Sequence, residues 1–409
     1  MQGRFKFQKK HNNQPRRPSR AGYSMNRRIF PRNAKSNAGV LKAILAVQLA
    51  EKSKEIENET VYIPQYRFGD FPISDLLKKN INDKNYLSPL PIQDKCIPEI
   101  LKGEDVIGIA NTGTGKTAAF LIPLVDKIYN DRTQKVIIIT PTRELATQIN
   151  DELRSFTKGM NIGSAICIGG VNIDRQKNDI RRNPNFVIGT PGRIKDFVNA
   201  RVLFLSQFNN IVLDEADRMV DIGFINDIKF FISLLSPNRQ SLFFSATVSG
   251  KVQEIIKGFV RNPVTISSVV QKDSRDNIDQ NLIKVEGRET KTDQLHDLLT
   301  QEGFDKVLIF GRTKHGIQKL TDELIRRGFK AGVIHGNKRQ SQRQKVLEQF
   351  KRNEINILLA TDIASRGLDI TGISHVINYD IPATFEDYIH RIGRTGRVNN
   401  KGSAITFIE

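Results

Sequence analysis

The sequence predicts an α/β protein with two parallel-sheet domains in tandem, preceded by a disordered basic tail. Its 409 residues are enough for two domains of roughly 100–200 residues each. Short β-branched runs alternate with helical stretches along most of the chain, and one polar stretch interrupts this alternation. Hydrophobic residues make up 38% of the chain, so each domain can bury a core. The predicted boundaries are a tail at 1–38, an N-terminal helix at 39–60, a first domain at 61–267, a linker at 268–279 and a second domain at 280–409.

The predicted tail is strongly basic. Residues 1–38 hold eleven Lys and Arg and no Asp or Glu, and the whole chain has a formal net charge of +19. Such a balance favours a polyanionic partner, either nucleic acid or an anionic membrane surface. Few apolar residues lie in the tail, which predicts disorder. Three roles stay open: a solvated tail that aids solubility, an arm that binds phosphates without sequence preference, and a transit peptide.

The next segment predicts one helix. An apolar run, Gly39–Ala50, is followed by the charged stretch Glu51–Glu59. We expect this helix to pack on the body of the protein, and an interfacial anchor is the alternative. No apolar stretch of the sequence reaches about 18 residues, so we expect neither a membrane-spanning helix nor a membrane partner. The two cysteines, Cys96 and Cys167, exclude a disulfide scaffold and a four-cysteine zinc site, and they fit a reducing, cytoplasmic compartment.

The predicted strands are short and almost continuously apolar, as in parallel sheets covered by helices on both faces. The first domain has them at Val106–Ala110, Lys135–Thr140, Phe186–Gly189, Asn210–Leu213 and Ser241–Ser245. The second domain has them at Leu282–Val285, Lys306–Phe310, Lys330–His335, Ile355–Ala360, His375–Asn378 and Ala404–Ile408.

A phosphate-binding loop follows the first of these strands. The run Ala110-Asn111-Thr112-Gly113-Thr114-Gly115-Lys116-Thr117 leads into a predicted helix, Thr117–Leu124. Backbone N–H groups of Thr112, Gly113, Thr114 and Gly115 would surround phosphate oxygens at a helix N-terminus. Lys116 would reach the β- and γ-phosphates, and the Thr117 hydroxyl would bind Mg²⁺. The generic pattern begins with Gly where this chain has Ala110, and the plain alternative is a glycine-rich turn before a helix.

An acidic group follows the predicted strand Asn210–Leu213. Asp214, at the carboxyl end of that strand, would hold Mg²⁺ through water. Glu215 would orient or deprotonate the attacking water. An acidic run by itself also suits a solvated turn, but together with the upstream loop it predicts ATP or GTP hydrolysis. These two motifs do not indicate what the hydrolysis drives.

At Asp214-Glu215-Ala216-Asp217 the sequence resembles the DEAD-box RNA helicases of helicase superfamily 2. The resemblance extends from about Phe68 to Ile408, and some motifs resemble bacterial-type members. It implies two RecA-like domains that share one ATP and its Mg²⁺. The adenine motif of this family is similar to the run Pro89-Leu90-Pro91-Ile92-Gln93. The resemblance implies that Gln93 pairs with the base and that Phe68 stacks on it, so that the protein binds ATP in preference to GTP. Asn85 and Leu90 stand where the family usually has Gly and Thr.

The resemblance also implies roles in closure and RNA binding. RNA-backbone contacts are implied for Pro141, Thr142, Arg143, Gly170, Thr190, Pro191, Gly192 and Arg193 in the first domain and for Arg312, Gly336 and Thr361 in the second. Asp369 would contact the ATP ribose, Arg394 and Arg397 would reach the γ-phosphate, and Asp217, Ser245, Thr247 and His390 would couple hydrolysis to closure. Arg391, Arg394 and Arg397 are spaced three apart, which predicts one helical face of guanidinium groups.

The function expected from these residues is ATP-dependent RNA unwinding. RNA-stimulated ATP hydrolysis would accompany closure of the two domains on a single strand and local separation of short duplexes, with contacts mainly to the RNA backbone. Two alternatives stay open: an ATP-gated RNA clamp with little turnover, and a DNA helicase. We expect a monomer, and the sequence indicates no protein partner. The sequence ends at Glu409, just after a predicted strand, where this family often continues with a closing helix and a variable tail.

Overall fold

A computed structural model describes residues 39–45, 62–111, 113–268, 278–285, 290–365, 370, 372–396 and 401–408. The predicted tail, residues 46–60 of the predicted N-terminal helix and three predicted site residues, Thr112, Asp369 and Arg397, lie outside the described residues. The described part forms two β-sheets with parallel strands, one in each half of the chain. This confirms the predicted fold class.

The first domain contains a seven-stranded sheet in the order β3-β4-β2-β5-β6-β1-β7. Its described strand pairs are all parallel; for example, Val106 pairs with Leu242, and Val136 pairs with Asn210. The central strands are apolar because both faces of the sheet are covered by helices. The strands are β1 (Val106–Ile109), β2 (Val136–Ile139), β3 (Ser164–Cys167), β4 (Phe186–Gly189), β5 (Asn210–Leu213), β6 (Gln240–Ser245) and β7 (Val264–Ser267).

Two cores lie on opposite faces of this sheet. Ile138 and Val212 belong to one core, whereas their strand neighbours Ile137 and Ile211 belong to the other, as the two-residue period of a strand requires. The helices of this half are α2 (Asp75–Asp83), α3 (Pro91–Leu101), α4 (Lys116–Asn130), α5 (Arg143–Phe156), α6 (Ile173–Arg181), α7 (Pro191–Asn199), α8 (Ala216–Ile222), α9 (Ile225–Leu234) and α10 (Gly250–Phe259).

The second domain contains a six-stranded parallel sheet in the order β10-β11-β9-β12-β13-β8. Its strands are β8 (Ile278–Lys284), β9 (Val307–Phe310), β10 (Ala331–Ile334), β11 (Ile357–Ala360), β12 (His375–Asn378) and β13 (Gly402–Ile408). Its helices are α11 (Lys291–Leu299), α12 (Lys314–Arg326), α13 (Gln340–Lys351), α14 (Asp362–Ser365) and α15 (Phe385–Ile392).

The strands that the sequence pattern missed or misplaced lie at sheet edges. β3 and β7 were not predicted, and they are the two outer strands of the first sheet. β8, an outer strand of the second sheet, begins at Ile278, inside the stretch predicted as a linker, and only partly overlaps the predicted strand Leu282–Val285. An edge strand faces solvent on one side, so it carries polar residues such as Asp279 and Gln280 and lacks a continuous apolar run.

Residues 39–45 form a short helix, α1, that packs on the second domain. Val40 and Ile44 are buried in one cluster with Ile278, Tyr388 and Ile392. The expected packing of this helix on the body of the protein is therefore confirmed for residues 39–45. Within the described ranges, none of the helices is both long enough and apolar enough to cross a bilayer.

Candidate nucleotide and RNA site

The phosphate-binding loop connects β1 to α4. Gly113 and Gly115 have φ of 83° and 85°, in the left-handed region that glycine occupies without strain. A Cβ on Gly115 would lie 2.8 Å from Leu90 Cδ1 and would collide with the Gln93 amide, so the position also needs glycine for space. The Lys116 side chain is 7% exposed, and its Nζ donates to the Ala110 carbonyl at 2.8 Å. The lysine ammonium thus lies at the loop that would receive the phosphates.

Gln93 is held beside this loop. Its Oε1 accepts from the Leu90 N–H at 2.9 Å, and its Nε2 donates to the Gly115 carbonyl at 3.1 Å. A glutamine amide has two donor hydrogens and two acceptor lone pairs, so these bonds use only half of its capacity. Asn85, which stands where the family usually has Gly, has φ of 58°, and asparagine tolerates this left-handed conformation.

Phe68 lies in a turn of 3-10 helix and is 6% exposed. Its ring contacts Phe71 and Tyr86 with centroid distances of 6.1 and 5.8 Å, and it belongs to the first-domain core. Phe68 is therefore anchored from behind by other aromatic rings, and its stacking on adenine stays a prediction.

The two predicted acidic groups lie at the carboxyl end of β5. Burial, opposed in part by the nearby Lys116 ammonium, raises the pKa of Asp214 to about 7. Glu215 has φ of 51° and is followed by α8. Its Oε2 lies 3.5 Å from Nε of Arg218, and both side chains are almost fully buried. The sequence analysis missed Arg218, although its position three residues after Glu215 places it on the same helical face.

The residues present fit a magnesium ion of the expected kind. Mg²⁺ in nucleotide sites takes one or two protein oxygens and completes its shell with water and phosphate oxygens. Among the described residues no group of three or more His, Cys, Asp or Glu could hold a metal ion by itself. Asp214 is a buried carboxyl near the start of α4, and an adjacent cation would stabilise its charged form.

Asp217 links the acidic motif to the end of β6. Its Oδ2 accepts from the N–H of Ala246 at 3.1 Å, from the N–H of Thr247 at 2.9 Å and from the Thr247 hydroxyl at 3.1 Å. The Asp217 N–H in turn donates to Ser245 Oγ at 3.3 Å. The structure thus brings together three of the four predicted coupling residues.

The predicted RNA-binding residues of the first domain follow β2, β3 and β4 at one edge of the sheet. Thr142 caps α5 by accepting from the Leu145 N–H at 3.3 Å. The Arg143 guanidinium lies against Gly169 and Gly170; a Cβ on Gly169 would lie only 2.7 Å from Arg143 Nη2. Because strand ends of parallel sheets are where ligands bind, this edge is the expected RNA surface.

The remaining first-domain residues of this set begin α7. Pro191 stands in the first turn of the helix, and Thr190 precedes it as the N-cap. Gly192 is exposed. The Arg193 guanidinium contacts two nearby groups of the first domain. Its Nη1 donates to the Val171 carbonyl at 3.5 Å, and its Nε lies 3.5 Å from the Asp196 carboxylate. A contact between Arg193 and RNA would therefore compete with these weak, long contacts.

The three predicted RNA-binding residues of the second domain also follow strands. Arg312 comes after β9, and its N–H donates to Asp380 Oδ2 at 2.7 Å. Gly336 is exposed after β10, and Thr361 is half-buried after β11. These strands are neighbours in the sheet, so the three residues share one edge.

The predicted helical face of three arginines is wrong. α15 ends at Ile392, so Arg394 lies in the turn beyond the helix. Arg391 faces the interior and is 2% exposed. It forms a two-pronged ion pair with Asp362, with Nη2 at 2.8 Å from Oδ2, and its Nη1 donates to the Asp380 carbonyl at 2.6 Å. Helical spacing could not anticipate this, because the helix stops between the arginines.

Among the residues that the structure describes, the two domains touch through α5 and α13, and again through the end of β6 and α15. In the first, Glu144 of α5 accepts from Gln340 Nε2 at 2.9 Å and pairs with Arg343 Nη2 at 3.0 Å. In the second, Glu386 of α15 lies beside Thr247, with which it shares a hydrogen bond, and beside Asp217 and Asp221. Partial burial and these neighbouring carboxylates raise the pKa of Glu386.

Comparison with known proteins identifies the family to which this chain belongs. The DEAD/DEAH box helicase family matches residues 90–255, and the helicase conserved C-terminal domain matches residues 290–399. The chain is 40% identical over 343 residues to an ATP-dependent RNA helicase CshA of Limosilactobacillus reuteri, covering 84% of this chain and 69% of that protein. Matched curated relatives are longer, and the chain spans about two thirds of their length. The chain belongs to the DEAD/DEAH box helicase family.

Solved structures agree with this placement. S. cerevisiae Dbp5 bound to RNA and ADP BeF3 superposes with a TM-score of 0.74 at 28% identity, covering 84% of this chain and 89% of that one. A DEAD box protein from the hyperthermophile Methanococcus jannaschii is 38% identical but gives a TM-score of 0.51, covering 85% of this chain and 94% of that one.

Proposed function

We propose that this chain is an ATP-dependent RNA helicase, in which RNA stimulates ATP hydrolysis and hydrolysis is coupled to closure of the two domains. The observation that carries the proposal is a continuous path of contacts from the nucleotide side to the second domain. Asp214 and Glu215 lie at the phosphate loop, Asp217 accepts from Thr247, and Thr247 meets Glu386 of the other domain. A change at the nucleotide can therefore alter the contact between the domains.

Each side chain has a role in this scheme. Bound ATP supplies the phosphoryl group, and Mg²⁺ neutralises its charge. Residues 112–117 surround the phosphates, Lys116 reaches the β- and γ-phosphates, and Thr117 and Asp214 hold the metal through oxygen and water. Glu215 accepts a proton from the attacking water. Gln93 and Phe68 would select adenine, Asp369 would bind the ribose, and Arg394 and Arg397 would reach the γ-phosphate from the second domain.

RNA would lie along the strand ends of both domains. Thr hydroxyls, backbone N–H groups and arginines suit phosphate and 2′-OH contacts that do not distinguish bases. Support comes from the similarity to an RNA-bound relative, which superposes better than a more identical protein does. Whole-chain superposition is sensitive to domain placement, so this difference supports a closed arrangement. Closure on one strand would exclude a regular duplex and separate its partner strand locally.

The first test is the steady-state rate of ATP hydrolysis with and without single-stranded RNA. We expect strong stimulation by RNA, and we expect Glu215→Gln to lower the stimulated rate by at least about 100-fold, as loss of a general base does. Glu254→Gln is the matched control, because Glu254 is a surface residue paired with Lys229 at 3.2 Å.

Strand displacement completes this test. ATP-dependent separation of a short RNA duplex, and weaker use of a DNA strand of equal sequence, would support the proposal. A slow rate that RNA does not change, together with ATP-dependent retention of RNA, would contradict it and favour a clamp. Equal activity on DNA would favour a DNA helicase.

We further propose a cytoplasmic protein that acts as a monomer. Cys96 and Cys167 are both free and buried, and burial raises the pKa of each thiol to about 12. Unreactive, unpaired thiols of this kind suit a reducing compartment.

A further inference from the structure

The helix α1 precedes the first domain in sequence, but in the described part of the chain the apolar cluster that holds it belongs to the second domain. Val40 and Ile44, four residues apart, are 9% and 0% exposed and form one helical face. Their cluster contains Ile278 of β8, Tyr388 and Ile392 of α15, and Ala404 of β13, and no residue of the first domain. Leu45, the next residue, is 46% exposed, so the buried face of α1 is narrow.

The surface under α1 supports the helix that leads to the catalytic arginine. Tyr388 and Ile392 face α1, whereas Arg391 of the same helix is bound to Asp362 on another side. Tyr388 also donates through its hydroxyl to Gln280 of β8 at 2.7 Å. α15 is thus fixed between α1, the edge strand β8 and the α14 region. Arg394 follows directly after its C-terminus.

The chain is anchored a second time where it enters the first domain. Asp94 of α3 accepts from the Tyr62 hydroxyl at 2.6 Å, from the Gln65 N–H at 2.8 Å and from the Tyr66 N–H at 3.0 Å. Asp94 directly follows Gln93, the residue assigned to adenine. The covalent chain therefore connects an anchor behind the arginine helix of one domain to an anchor beside the adenine motif of the other.

We propose that α1 is a positioning element for α15 and that, because the chain continues from α1 into the first domain, its non-covalent docking tethers the two domains a second time. The inference rests on the proposed ATPase function for its kinetic consequence, but the docking itself is independent of it. A docked α1 keeps the start of the chain on the second domain, which raises the effective concentration of one domain at the other. It also fixes α15, so that Arg394 is presented to the γ-phosphate in one orientation.

The test compares two full-chain variants, Ile44→Asp and Leu45→Asp. Both place the same charge on the same helix, but only the first places it in the buried cluster. We expect Ile44→Asp to speed backbone hydrogen exchange in α15 and β8 at least about tenfold, as loss of local packing does. We expect its RNA-stimulated kcat to fall about tenfold, equivalent to about 1.4 kcal/mol, with the KM for ATP almost unchanged. Leu45→Asp should match the unmodified protein in both measurements.

A synthetic peptide of residues 36–48 provides the rescue. Added to Ile44→Asp, it should restore the slow exchange fully and the kcat only in part, because a free peptide positions α15 without tethering the domains, whereas the same peptide carrying Ile44→Asp should restore neither. Equal behaviour of the two variants would overturn the docking. Fast exchange with an unchanged kcat would overturn the positioning role. Absence of RNA-stimulated hydrolysis in the unmodified protein would instead overturn the proposed function, and the exchange measurement would still decide the docking.

Discussion

Two contacts between the domains, both formed by described residues, have opposite electrostatics. At the RNA side, Glu144 of the first domain pairs with Arg343 and accepts a hydrogen bond from Gln340 of the second, so opposite charges meet. At the nucleotide side, Glu386 of the second domain lies beside the like-charged Asp217 and Asp221 of the first and shares a hydrogen bond with Thr247. The first contact attracts, whereas the second carries like charges.

This difference suggests how closure can be made conditional. The Glu144–Arg343 pair joins opposite charges whether or not nucleotide is present, but its burial costs desolvation free energy, which lowers the pKa of Arg343. The like-charged contact opposes closure, so a closed state needs additional attraction between the domains. The arginines that follow α15 would supply that attraction when they reach ATP phosphates. The open and closed arrangements would thus be close in free energy. Changes at each of the two contacts should shift this equilibrium in opposite directions.

Breaking the attractive contact should have the largest effect. In Arg343→Met the Glu144 carboxylate loses its charged partner and the contact no longer favours closure. We expect the affinity for RNA, measured with a non-hydrolysable ATP analogue, to fall about 10–100-fold, the range for hydrogen bonds to charged groups. A double-mutant cycle with Glu144→Gln should show strong coupling. Additive effects would mean that the two side chains do not act on each other during closure.

A smaller loss is expected when the link between the two acidic groups is weakened. Thr247→Val removes the hydroxyl that donates to Asp217 at 3.1 Å and shares a hydrogen bond with Glu386. Loss of about 1 kcal/mol of hydrogen bonding predicts about a fivefold slower strand displacement. Thr157→Val is a suitable control, because the Thr157 hydroxyl donates to the Leu153 and Arg154 carbonyls of its own helix, at 2.9 and 3.5 Å. An equal effect of both changes would contradict a coupling role for Thr247.

Removing the repulsion should strengthen closure modestly. Glu386→Gln keeps the shape of the side chain and deletes its charge, so we expect RNA affinity with an ATP analogue to rise about twofold to fivefold at pH 8, as for partly exposed charges. The effect should depend on pH. The pKa of Glu386 is raised by partial burial, then by Asp221, Asp217 and Asp387, so its closed form binds a proton more tightly than its open form.

The sign of that pH dependence follows directly. Below the ordinary glutamate pKa of about 4.3, Glu386 is neutral in both the open and the closed state, so it does not oppose closure. As the pH rises through the raised pKa, the closed state carries the full repulsion. The advantage of Glu386→Gln should therefore be present at pH 8 and should shrink on acidification toward pH 5. An advantage that does not change with pH would show that packing, not charge, explains the variant.

Salt should have the smallest effect. Without RNA, raising the ionic strength screens exposed charges more than buried ones. We expect the closed fraction, measured by energy transfer between dyes on the two domains, to rise by less than about twofold in the unmodified protein. No rise is expected in Glu386→Gln, in which the repulsion is already absent. A fall in both proteins would mean that the Glu144–Arg343 pair is itself screened.

Much of the fold and of the nucleotide site could be predicted from local sequence. Strands such as Phe186–Gly189 and His375–Asn378 have the predicted bounds, because buried parallel strands are continuously apolar. The phosphate loop follows from spacing alone, since Gly113 and Gly115 occupy conformations that favour glycine. Edge strands β3, β7 and β8 could not be found in this way, because their composition reflects solvent on one side.

The sequence by itself determined which chemical groups this protein has: the phosphate loop, the acidic motif and the arginines lie in short runs whose local conformation is set by neighbouring residues. Only the tertiary structure decided how these groups are arranged between domains. Arg391 became an internal ion-pair partner, Glu144 and Glu386 became contacts of opposite sign, and α1 docked on the domain distant in sequence. The Arg391–Asp362 pair joins residues 29 positions apart, and the Glu144–Gln340 contact joins residues 196 apart. Such contacts depend on the packing of whole elements, which no local pattern records.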